Sequence, residues 1–173
     1  MRLLFVLFAA LALAGACGDD SDSPPDTSGT PARTGCPKFA PLSPDTHTIR
    51  IQKAAGTTAT LIIQLADNNA ERGTGLSNRE CLPEDSGMLF AFPSDTTTTF
   101  QMRDTTIPLT IAFIQADGEI VDILDMQPNA SESYASAVPY RYAIEVAQGW
   151  FAEQGVALGD IAQIDEVLSL NAQ

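Results

Sequence analysis

At Ala116-Asp117-Gly118 the chain has to reverse direction. Asp-Gly turns two strands readily, because glycine takes a positive φ without steric cost. Before the turn Ile107, Leu109, Ile111 and Phe113 alternate along the chain; after it residues 119–126 (EIVDILDM) return with Ile120, Val121, Ile123 and Leu124. Period-two apolar patterning on both sides of a tight turn predicts a hairpin. A lone hairpin is marginal in water, so further strands or a helix must cover it.

Those strands are legible elsewhere. Residues 47–53 place Ile49 and Ile51 on one face; after a turn at Gly56-Thr57, the β-branched run 58–66 (TATLIIQLA) pairs back as a second hairpin. Asp67-Asn68-Asn69 offers helix N-cap chemistry, and Gly73 and Gly75 keep the helix short. Residues 87–92 and 97–102 read as extended, 131–139 as a loop, and 140–147 (YRYAIEVA) as a strand. A helical turn is expected at 148–154 and a last extended piece at 161–164. Eight or so short strands with one or two short helices predict a mostly β (α+β) domain, a compact barrel or two packed sheets. Long βαβ crossovers are not expected, and no GxGxxG or GxxxxGK[ST] motif suggests a nucleotide site.

The N-terminus points to export. Met1-Arg2 is followed by an uncharged apolar run, residues 3–16, too short for a permanent transmembrane helix but right for a signal-peptide core. Small residues Ala14-Gly15-Ala16 then precede Cys17, in the manner of a bacterial lipobox, with Ala14 where leucine is usual. Residues 18–31 contain no aliphatic side chain and cannot repay the entropy of ordering. The expected organisation is a signal peptide (1–16), a lipidated Cys17 with an acidic linker (17–35) and one β-rich domain (36–173). The alternative is ordinary cleavage and a soluble periplasmic or secreted protein.

Charge and cysteines exclude several classes. The formal net charge of −13 repels phosphates, so no nucleic-acid partner is expected. A single histidine, His47, and three cysteines without CxxC spacing leave no multi-histidine zinc site or zinc ribbon. Acidic groups such as Asp67 with Glu71, or Asp122 with Asp125, lack EF-hand spacing and read as solvated faces; no metal and no cofactor are expected. With Cys17 assigned to lipid, Cys36 and Cys81 either form a disulfide, which export permits, or remain thiols.

Five segments occur in the order of one bacterial family. They are Gly75-Leu76-Ser77-Asn78-Arg79; residues 82–92 (LPEDSGMLFAF); Phe100-Gln101-Met102-Arg103-Asp104-Thr105; Ile107-Pro108-Leu109; and residues 144–150 (IEVAQGW). The chain resembles the domain-of-unknown-function 192 family of small exported bacterial proteins, over roughly residues 49–164. The resemblance implies a compact β-rich single domain and no established reaction. The family usually reads Trp-Met-Lys-Asn-Thr where this chain has Gln101-Met102-Arg103-Asp104-Thr105, and Asp after Pro-Leu where this chain has Thr110. An aromatic face and a carboxylate are absent from those positions.

Charged side chains are sparse in the apolar segments, which makes Arg72, Arg79, Arg103, Asp104, Thr105 and Glu145 the candidate ligand-binding residues. Arg79 and Arg103 facing one cleft would clamp an anionic ligand such as a sugar acid. The plainer reading pairs these arginines with Glu145, Asp104 or Glu71 to fix loops. Asp104 with Glu145 would make an acid/base pair for glycoside hydrolysis at a suitable separation. His47 is expected on the surface, Phe90 and Phe92 in the core, and Trp150 packed on the sheet. The whole reads as an envelope lipoprotein, held to the membrane by its N-terminal lipid and binding a small polar ligand or an envelope protein without catalysis. A carbohydrate hydrolase and an assembly factor meeting its partner at a sheet edge remain the alternatives.

Overall fold

The structure is a computed structural model that describes residues 46–171. The leader, Cys17, the acidic tract and Cys36 lie outside the described residues. Cys81 is disulfide-bonded. Among the described residues no helix is long and apolar enough to cross a membrane.

Strands β1 (Thr46–Gln52) and β2 (Thr58–Ala66) form the expected hairpin, with Ile49 opposite Leu61. Helix α1 (Asn69–Thr74) begins at Asn68, whose Oδ1 accepts from the amides of Ala70 (3.1 Å) and Glu71 (3.0 Å) and so satisfies two otherwise orphaned donors. It leads to β3 (Ser86–Thr96), which lies parallel to β2. Residues 67–85 therefore make a crossover between parallel strands, contrary to the expectation of no long βαβ crossover; α1 is too short to announce it. Pro93 sits within β3 where the pairing register breaks between Ala91 and Thr96, a place that tolerates a missing amide donor.

The chain continues through β4 (Phe100–Gln101), β5 (Leu109–Ile114), β6 (Ile120–Met126), β7 (Ser133–Tyr134), β8 (Tyr140–Ala147), α2 (Trp150–Glu153), β9 (Ile161–Ala162) and α3 (Asp165–Asn171). Seven strands form one curled sheet in the order β6-β5-β8-β3-β2-β1-β9, and β4 pairs with β7 beside it. Two corrections follow. The segment 131–139 contains β7, and the helices number three among the described residues, because Val167 docks α3 on the core at 1% exposure.

The two edges of the large sheet meet at one end. Ile120 N donates to Asp160 O (2.9 Å), Gly159 N to Ile120 O (2.9 Å) and Ala162 N to Gly118 O (2.8 Å), with a bridge between Glu119 and Ile161. Gly118 thus serves twice. Its φ of +90° completes the turn, and a Cβ there would lie 2.5 Å from Ala162 O. Asp117 has no positive φ, so the turn is not type I′; Gly118 N to Gln115 O (3.0 Å) and Gln115 N to Glu119 O (2.9 Å) mark a three-residue loop ending in a left-handed glycine.

Apolar side chains fill both faces of this sheet. Ile49, Ile51, Leu61, Leu89, Ala112, Ile144 and Val146 pack inside the curl with Trp150, Phe151 and Val167. Met88, Phe90, Ile111, Phe113 and Ala143 pack on the other face beneath Leu76, Leu82 and Met102. All of β5 is buried, and β3 and β8 nearly so where they pair, which is why these strands read as almost continuous apolar runs. Each large aliphatic or aromatic side chain so buried contributes about 1.5–3 kcal/mol.

Candidate functional site

The face of the sheet carrying Phe90 is incompletely covered. An open cleft of about 650 Å³ lies there, floored by Phe90 and Glu145 and walled by α1 with residues 75–77 on one side and residues 92–101 on the other. Each wall is pinned. From α1, Arg72 Nη1 donates to Asp67 O and to Ala91 O (2.6 Å), its Nη2 donates to Asn69 Oδ1 (2.7 Å), and its guanidinium lies 5.1 Å above the Phe92 ring. On the far side Tyr140 Oη donates to Thr98 O (2.5 Å), and burial lifts that phenol to about 12. Arg141 holds Asp95 at 2.8 Å. Phe100 meets Phe90 edge-on at 5.0 Å and Phe113 at 5.8 Å, so its ring is fixed between cleft and core.

Glu145 is the ionisable group of this floor. Along β8, Tyr142, Ile144 and Val146 serve the inner core, and the alternation sends Ala143 and Glu145 to the other face. Its register neighbours are Met88 on β3 and Ile111 on β5. Glu145 is only 5% exposed, and among the described residues its carboxyl has no hydrogen-bond or ion-pair partner. Burial with no compensating charge raises its pKa from 4.5 to about 8, so it is a neutral carboxylic acid at pH 7.

That proton has a stability signature. Below pH 4.5 Glu145 is protonated folded or unfolded, and its full stability contribution is present. Between pH 4.5 and about 8 the unfolded chain releases a proton that the folded chain keeps, so this group lowers stability by about 1.4 kcal/mol per pH unit; above that it adds no further slope. Urea melts of wild type and Glu145→Gln at pH 5 and pH 7.5 should diverge accordingly, the variant lacking this loss. Parallel pH profiles would show that Glu145 ionises normally.

The other candidates distribute as follows. Arg72 and Thr105 join Glu145 on the cleft. Arg79 lines a second cleft of about 380 Å³ with His47, Gln64 and Glu71. There its Nη2 donates to Gln64 Oε1, and burial lowers its pKa. Arg103 and Asp104 are exposed and line neither cleft. Neither of these clefts brings Arg79 together with Arg103, or Asp104 together with Glu145. The reason is local: residues 103–104 form a tight turn, with Asp104 at φ +58°, whose carbonyls accept from Asn78 N (2.7 Å) and Ser77 Oγ (3.4 Å). His47, expected on the surface, has its Nε2 buried without a partner. Phe90 and Phe92 contribute to both core and cleft, and Trp150 packs on the sheet as expected. Cleft residues not foreseen include Asn69, Thr96, Thr98 and Phe100; the threonine run before Phe100 was the signal for the last three.

The family's sequence profile, described as an uncharacterised ACR, matches residues 50–164. The chain belongs to the DUF192 family. Two solved structures are similar to it. A crystal structure from Sinorhizobium meliloti 1021, described as a candidate transcription regulator, is 31% identical with a TM-score of 0.68, covering 70% of this chain and 95% of that one. A protein of unknown function from Novosphingobium aromaticivorans DSM 12444 is 27% identical with a TM-score of 0.67, covering 76% and 94%. No curated protein matches. Within this DUF192 domain the two departures have structural accounts. Thr110, 3% exposed, accepts from Gly149 N (3.0 Å) and donates to Asp125 Oδ1 (2.6 Å), so the neighbouring strand supplies the carboxylate missing at 110. Gln101 lies exposed on the cleft rim, where an indole would cover more of the opening.

Proposed function

We propose that the chain is an exported bacterial envelope protein, anchored by lipid on Cys17, whose DUF192 domain binds a small polar ligand in the cleft over Glu145. The observation that supports binding is the Glu145 carboxyl, without a protein partner among the described residues, at the floor of an open, hydroxyl-bearing cleft. Water reaches it only through the cleft, so a ligand seated there can supply the hydrogen bond that the protein does not. The anchor rests on the apolar leader, the small residues before Cys17 and the acidic spacer after it. The net charge of −13 weighs against direct nucleic-acid binding, whatever the role of the Sinorhizobium relative. Hydrolysis loses its rationale with Asp104 outside the cleft.

Amide NMR spectra titrated with polyols, sugar acids and short peptides test the binding half. Shifts confined to residues around Thr98, Phe100 and Glu145 are expected with one of these classes. An unresponsive cleft, together with capture of a single envelope protein by the intact chain, would favour the assembly role instead. In cells, Cys17→Ser should move the protein from membrane to soluble fractions; unchanged membrane association would remove the anchor.

A further inference from the structure

We infer that the ligand of this cleft is a small hydroxylated organic cation, an amino polyol or amino sugar whose ammonium group pairs with Glu145. The inference rests on the reading above that the cleft binds a ligand, and it fixes the sign of that ligand's charge. Two other charged side chains share the cleft, and both are engaged: Arg72 by Asp67, Ala91 and Asn69, and Asp95 by Arg141. The strands flanking Glu145 present Met88 and Ile111, which carry no charge. The unspent ionisable group is therefore a carboxyl, and an N⁺–H donor makes a stronger hydrogen bond to it than a neutral hydroxyl does.

Two further features agree. Thr96, Thr98, Thr99 and Ser77 line the walls with hydroxyl oxygens; Thr96 and Thr98 bond each other at 2.7 Å and Ser77 donates to Arg103 O, which leaves oxygen lone pairs to accept from a polyol. A protein of net charge −13 enriches cations near its surface and repels sugar acids.

The protonation balance is explicit. The amine enters as its ammonium ion, Glu145 gives its proton to solvent, and the product is a carboxylate–ammonium pair. One proton is released per ligand bound while the pH lies below about 8, where burial has set the Glu145 carboxyl. Affinity must then rise with pH in that range, whereas a neutral ligand accepting from the protonated acid would bind more weakly as pH rises.

A matched set of probes, D-glucamine, sorbitol and gluconate, tests this by NMR titration of the intact domain at pH 6.5 and 7.5. A primary amine stays protonated across that interval. Glucamine should bind at least tenfold tighter than sorbitol, gluconate should not bind, and the glucamine affinity should rise up to about tenfold over the one-unit step. Glu145→Gln should abolish both the preference and the pH dependence; the wild-type pH profile carries the test if the variant does not fold. Sorbitol binding as well as glucamine, or gluconate binding best, overturns the inference and leaves the cleft reading standing. Silence of all three overturns it too, and the wider screen above then decides the cleft.

Discussion

An alanine at position 150 should lower the stability of the domain by about 4 kcal/mol, read as a shift of the urea midpoint at constant slope. Trp150 is the largest of the fully buried side chains, 1% exposed, and packs edge-on against Phe151 at 5.3 Å. Its Nε1 also donates to Asp85 Oδ1 at 2.8 Å. The two contributions differ in weight. Asp85 is exposed, so its carboxylate recovers water when the indole is gone, and that hydrogen bond is worth about 1 kcal/mol net. The emptied volume dominates. Trp150→Phe should therefore recover more than half of the loss although it cannot donate to Asp85. If phenylalanine proved as damaging as alanine, the hydrogen bond and not the packing would be the main contribution.

Gly87→Ala should cost about 3 kcal/mol, although alanine is intrinsically favoured over glycine within a strand by roughly 0.5–1 kcal/mol. Gly87 has no positive φ, so conformational freedom is not at issue; space is. A Cβ at this position would stand 2.4 Å from the Glu145 carbonyl oxygen and 3.0 Å from Val146 Cγ1. Gly87 pairs with Val146 in the middle of the sheet, between β2 and β8, and neither neighbour can retreat without breaking its ladder on the other side. The amide resonances of Glu145 and Val146 should shift most. A stable Gly87→Ala domain with an unchanged spectrum would mean that β3 and β8 separate more easily than their packing implies.

The sequence revealed most where side-chain pattern and strand coincide. Residues 58–66 and 140–147 match β2 and β8, because both are β-branched or alternating and end at small or turn residues. It revealed least where pairing depends on distant backbone. β4 and β7 are two residues each and exist because they meet one another, and β9 is a strand because β1 and the start of β6 lie beside it. The same division runs through the site. Glu145 stands out as a charge in an apolar strand, and Arg72 and Thr105 share its cleft; where Arg79 and Arg103 stand depends on loop geometry, which spacing does not encode. Phe100 and the threonines became cleft residues only when β3 broke register at Pro93 and carried the following loop over the sheet face.

The meeting of Gly118 with Ala162 also sets an order of assembly. Every other neighbour of the large sheet is available once β8 exists, but the seam joining β6 to β1 waits for residues 159–162, near the C-terminal end of the described chain. Until they arrive, the growing sheet carries two raw borders, and long-separation pairings of this kind slow the search for the native state. Helix α3 follows immediately and seats Val167 in the inner core with Ile120 and Ala162, so the stretch that closes the seam is followed directly by its clasp.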